Sequence, residues 1–171
     1  MVTLKPGDGK ALRDVVRDPA TTVVHIDASG GLRGADFPAR LESVALPTVA
    51  TVGGDCDASA LALLAAVSLG FVAEDLAVSL DADTVLAFGL TASLPAAIGA
   101  APARSLLLGA GPLDAAALVE CGLARPAAQA PAAIARLGDP SVASLVRSLR
   151  VAARSTPRQA REYDAELRRI G

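Results

Sequence analysis

A chain of 171 residues with a net charge of −2 and an isoelectric point near 5.3 is long enough to bury one core, and no stretch of it joins Lys/Arg to aromatic side chains as a nucleic-acid surface would. Hydrophobic residues make up 52% and aromatics only 2%, so the core is expected to be built from Ala, Val and Leu at close backbone approach. Cys56 and Cys121 stand far apart without a CxxC pair or a histidine partner, which argues against a metal site and against a disulfide framework. No targeting segment or membrane span is legible, so a cytoplasmic, membrane-free protein is expected.

In chain order, Met1–Leu4 reads as a short strand, followed by a glycine turn and an amphipathic helix at Ala11–Arg17 that carries Leu12, Val15 and Val16 on one face. Thr21–Ile26 is the first convincing buried strand, and His25 within it is read as a packed, hydrogen-bonded residue. Asp27–Gly34 is a glycine-rich turn, after which Asp36 caps a short helix through Glu42. Thr48–Val52 is a buried strand, Gly53-Gly54-Asp55 a turn, and Ala58–Ser68 a helix rich in Ala and Leu that runs into another strand. Asp55 and Asp57 precede that helix. One of them is its N-cap, the alternative being a general base.

Asp81–Asp83 reads as a turn, Thr84–Leu90 as a strand, and Thr91-Ala92-Ser93 as a short loop. Helices follow at Ala101–Leu108 and Asp114–Glu120, the latter with Asp114 as cap. Pro126–Pro131 reads as an Ala/Pro linker. Beyond it lie helices at Ala132–Leu137, Ser141–Arg154 and Arg158–Arg169, and the Val142, Leu145, Leu149 stripe is either core or an oligomer face. The basic residues from Arg147 to Arg169 read as a solvated face.

The stretch Leu46–Asp75 resembles the central motif of the crotonase (enoyl-CoA hydratase/isomerase) superfamily: Pro47, Ala50, Val52, Gly54, Leu61, Ala65 and Ala73-Glu74-Asp75 fall into its pattern without a gap. Arg33-Gly34-Ala35-Asp36-Phe37 is similar to the family's oxyanion loop, and Ser105–Ala124 to a later family segment. The resemblance implies an α/β fold, a crotonase-like (ClpP/crotonase) ββα spiral core over residues 1–125 with C-terminal helices over 126–171. It implies a trimer or hexamer, or a complex with a biosynthetic partner enzyme, and no covalently bound cofactor.

By the same resemblance the backbone N–H groups of Ala35 and Ser59 form the pair that holds an enolate oxygen. Arg33, Gly34 and Gly54 are assigned to the loops that bind a thioester of coenzyme A or of an acyl carrier protein. Hydratases of the family use two glutamates. The first position falls on Ala62 and the second on Ala82, between Asp81 and Asp83, so proton transfer falls to an aspartate among Asp57, Asp81 and Asp83. Isomerisation, dehydration or decarboxylation then fits better than hydration. The alternative is a catalytically reduced homologue that assists a biosynthetic enzyme.

Overall fold

The computed structural model describes residues 1–7, 9–34, 41, 44–109, 113–153 and 155–170. Its centre is a parallel sheet in the order β1-β2-β3-β5-β8, formed by β1 (Val2–Leu4), β2 (Val24–Ala28), β3 (Thr48–Val52), β5 (Leu69–Val72) and β8 (Arg125–Pro126). β3 is an unbroken run of small and β-branched residues, as a strand buried on both faces requires, while β2 alternates buried Val24, Ile26 and Ala28 with half-buried His25 and Asp27. Register sets the layers: Ile26 pairs with Ala50, and Val52 with both Ala28 and Val72.

Successive side chains of a strand point to opposite faces, and the two faces are covered by different helices. On one face Val24, Ile26, Ala28, Ala50, Val52 and Val72 join the main core with α2 (Ala58–Ala66). Every residue of α2 from Ala58 to Leu64 is buried, so this helix is apolar all round and lies inside the molecule. Helices α4 (Leu90–Ile98) and α5 (Ala100–Leu108) close over it through Leu90, Leu94, Ala103 and Leu106.

On the other face Val23, Val49 and Phe71 pack under α7 (Ala130–Leu137) and α8 (Pro140–Ala152). Arg150 of α8 donates to the Val44 carbonyl, and to the hydroxyls of Thr48 and Ser68 at 2.9 Å each, tying α8 to the start of β3 and the end of α2. Helix α9 (Pro157–Ile170) lies against α8, held in part by the Ser148 hydroxyl donating to Asp164. Helix α1 (Gly9–Arg17) buries Leu12 beside β1. A small second sheet, β4-β6-β7, joins Asp55–Cys56, Ala77–Val78 and Leu113–Asp114.

Four expectations are corrected. Thr84–Leu90 is not a strand: Asp81 accepts from the Thr84 N–H at 2.9 Å and its hydroxyl at 2.7 Å, capping α3 (Ala82–Ala87), and Leu90 opens α4. The loop expected at Thr91-Ala92-Ser93 lies within α4, and Asp81–Asp83 begins a helix rather than joining two strands. The segment from Pro126 is no slack linker, since Arg125–Pro126 pairs with β5 and a 3₁₀ turn (Ala127–Gln129) leads into α7. The early strand is shifted to Val24–Ala28, and α6 (Ala115–Glu120) has Asp114 as its cap, as expected. Among the described residues no helix is long and apolar enough to cross a membrane.

Candidate functional site

At the carboxyl edge of the parallel sheet, where open α/β folds place their ligands, three turns stack against one another. The turn after β2 folds back through Gly31, whose φ of +100° and whose position 2.7 Å from the Asp55 carbonyl, measured from where a Cβ would stand, admit no side chain. The turn after β3 is Gly53-Gly54; the Gly53 N–H donates to the Ala28 carbonyl at 3.2 Å, and the Gly54 N–H to Asp75 Oδ1 at 3.3 Å. Asp75 belongs to the Ala73-Glu74-Asp75 turn after β5, so this carboxylate ties the second and third turns together.

The first turn then reaches the start of α2. Leu32 and Cys56 form a parallel bridge, and the Asp57 N–H donates to the Leu32 carbonyl at 3.1 Å. Asp57 is the N-cap of α2. Its Oδ1 accepts from the Ser59 N–H at 2.8 Å and from the Ser59 hydroxyl at 2.5 Å, while its Oδ2 accepts from the Gly34 N–H at 2.8 Å. The backbone amides of Gly34 and Ser59, from two separate segments, therefore converge on one half-buried carboxylate. Burial alone would raise the pKa of Asp57. The hydrogen bonds from Ser59 and Gly34 and the charge of nearby Arg33 outweigh it and hold the group below the ordinary aspartate value.

Arg33, Gly34, Gly54, Asp57 and Ser59 are thus brought to one edge of the sheet. Ala35 lies outside the described residues, as does the helix expected from Asp36 except for Leu41, which is fully buried. Ser59 is fully buried, and its N–H is already paired with the cap. Between the two alternatives for Asp55 and Asp57, the cap is Asp57; Asp55 is exposed. Cys56 beside it is wholly buried, and burial raises its thiol pKa, so it stays protonated.

Asp81 and Asp83 occupy a different place, at the start of α3. Asp81 is held below the ordinary aspartate value by its hydrogen bonds from the Thr84 hydroxyl and N–H. Among the described residues no hydrogen bond links Asp81 or Asp83 to Asp57, Ser59 or Gly34. Ala62 is buried in α2 at 4% exposure and offers only a methyl group. Asp81 instead borders an apolar cavity of about 470 Å³ between α3, α4 and α5, lined by Leu80, Val85, Pro95 and Leu107 with Arg104 beside them. No group of His, Cys, Asp and Glu suited to a metal ion occurs among the described residues. The bond from Asp57 to Gly34 is the feature that sequence reasoning missed. The aspartate before the helix was its only signal, and it pointed first to an ordinary cap.

No protein-family model and no curated protein matches this sequence. Solved structures do match it. An enoyl-CoA hydratase/isomerase family protein from Silicibacter pomeroyi superposes with a TM-score of 0.74 at 19% identity, covering 94% of this chain and 90% of its own. An enoyl-CoA hydratase from Bacillus anthracis gives 0.73 at 17% identity, covering 92% and 75%. Another from Mycobacterium avium subsp. paratuberculosis K-10 gives 0.66 at 25% identity, covering 91% and 74%. The chain has the α/β fold of the crotonase superfamily, as the central motif implied.

Proposed function

We propose that this chain, built on the crotonase fold, binds an acyl thioester of coenzyme A or of an acyl carrier protein without adding water to it, and serves beside a biosynthetic enzyme. The observation that carries the reading is the fate of the proton-transfer positions. The one on the central helix is the buried methyl of Ala62. The other is Ala82, again only a methyl, and the Asp81 carboxylate before it is spent on capping α3. Hydration across a double bond needs one group to deliver a proton and one to activate water, and neither position supplies such a group. The apolar cavity beside Arg104 offers room for an acyl chain.

A second reading keeps an enzyme. The loop after β2 and the first turn of α2 approach within hydrogen-bond reach of one point, the geometry that enolate stabilisation asks for, and Asp57 stands there as a carboxylate able to move a proton. That reading predicts isomerase, dehydratase or decarboxylase chemistry with Ala35 and Ser59 as donors, and Asp57, or Asp81 or Asp83, as the base. In either case Leu145 and Leu149, 57% and 62% exposed on α8, favour a homo-oligomer, to be read by light scattering.

Calorimetric titration with acetyl-CoA and crotonyl-CoA tests the binding, and NMR in D₂O tests the chemistry. The first reading expects heat of binding with no hydration of crotonyl-CoA and no exchange of the α-protons of acetyl-CoA. Exchange at the α-carbon selects the enzyme. Absence of any heat or thermal shift with either thioester removes both readings.

A further inference from the structure

We propose that Asp57 is a built-in occupant of the site, an autoinhibitory side chain whose carboxylate fills the place where backbone amides of the β2 loop and of α2 would otherwise receive an acyl oxygen. An ordinary N-cap accepts from its own helix and nothing else, as Asp114 does with Ala117 at 2.9 Å and Asp139 does with Ser141. Asp57 does that with Oδ1, and with Oδ2 it takes an N–H of a separate loop, Gly34, at 2.8 Å. The carboxylate is thereby the only bridge of its kind among the caps described, and it spans the two segments from which the oxygen donors would come.

The chemistry of the bridge favours its staying shut. Hydrogen bonds from N–H groups to an ionised carboxylate are roughly twice as strong as those to a neutral carbonyl. A thioester oxygen therefore exchanges a good partner for a poorer one when it displaces Asp57. An enolate would match it in charge, but it would form beside the carboxylate it had just displaced and be repelled by it. The Ser59 hydroxyl, at 2.5 Å from Oδ1, adds a further donor that holds the side chain in place. The fully buried Ser59 backbone leaves no second route to the same N–H.

This inference takes the identity of the displaced group from the thioester reading, but its test does not depend on it. Replacing Asp57 by glycine empties the place while leaving a residue that helix N-caps tolerate. Formate, a free carboxylate, should then re-enter it: the Asp57→Gly protein is expected to gain roughly 3 °C in Tm at formate about tenfold above its Kd. Wild type, and an Asp114→Gly control that lacks a second loop at its cap, should show no gain beyond that of chloride at equal ionic strength. Asp57→Asn serves if the glycine variant does not fold. It keeps the cap on Ser59 but turns an N–H towards Gly34, so the Gly34 amide should exchange with solvent at least about tenfold faster while Ser59 stays protected.

Acetoacetyl-CoA gives the third measurement, because its enolate absorbs in the near ultraviolet. Asp57→Gly should show that band and wild type should not. Formate rescue with no thioester bound by any variant upholds the occupant and removes the thioester reading. An enolate band in wild type overturns the occupant. So does an Asp57→Gly protein indifferent to formate, or, where only the asparagine variant folds, a Gly34 amide as protected as in wild type.

Discussion

His25, the only histidine, lies in β2 on the sheet face that α7 and α8 leave partly open. Its Nε2 is 3.0 Å from the Thr51 hydroxyl and its Nδ1 3.4 Å from that of Thr3. Burial lowers its pKa below 6.5; the nearby Asp27 opposes this and Lys5 adds to it. Between that lowered value and 6.5 the unfolded chain binds the proton and the folded chain does not. The stabilising contribution is therefore complete above pH 6.5 and is lost as pH falls from there through the folded value. With one imidazole in the molecule, an NMR titration isolates it: the midpoint is expected below 6.5. In His25→Val the part of the stability slope that lies just under pH 6.5, above the carboxylate range, should vanish. The expectation of a packed, hydrogen-bonded histidine was legible from its place in an apolar strand. Its partners Thr3 and Thr51 were not, because they arrive from neighbouring strands.

Among elements, Arg150 is where a prediction has most leverage. Its acceptors include Val44, Thr48 and Ser68, which lie 106, 102 and 82 residues back along the chain, so it fastens α8 to both the sheet and α2. Arg150→Met keeps much of the stem and removes the donors. It should destabilise the fold by about 1–3 kcal/mol, with amide exchange rising first across 140–152. Unchanged exchange in α8 would mean that apolar packing alone holds the helix. The β2 and β3 strands and the α2 helix could be read from the chain because local pattern and final burial agree there. Thr84–Leu90 could not. Its Thr-Val-Leu-Ala-Phe run has the look of a strand, yet the Asp81 carboxylate satisfies one of the free first-turn amides of a helix, and the buried Leu90 and Leu94 draw the following segment onto α2. The link from Asp57 to Gly34 escaped for a related reason. A cap is a local feature, but a second acceptor bond reaching across 23 residues exists only once the β2 turn has folded back.

For the molecule as a whole, the decisive division is between the two faces of one sheet. The main core holds α2 on one face, and a smaller cluster of Val23, Val49, Phe71, Ala130 and Leu137 holds the C-terminal helices on the other. The apolar stripe of α8 divides accordingly: Val142 and Val146 turn towards the sheet, while Leu145 and Leu149 remain outside. Ending the chain after Pro126 would expose fully buried Val49 and Phe71 to water, at a cost of about 1.5–3 kcal/mol for each side chain. Such a protein is expected to aggregate or to lose cooperative unfolding. A soluble, sharply melting fragment would show that residues 1–126 are self-sufficient.

The scarcity of aromatic residues also determines what light can report. The chain has no tryptophan and a single tyrosine, and that tyrosine, Tyr163, is half-buried on α9, the outermost helix. Intrinsic emission therefore watches the last helix and is nearly blind to events at the carboxyl edge of the sheet. A chromophore placed there by substitution is what fluorescence would need to see the other end of the molecule.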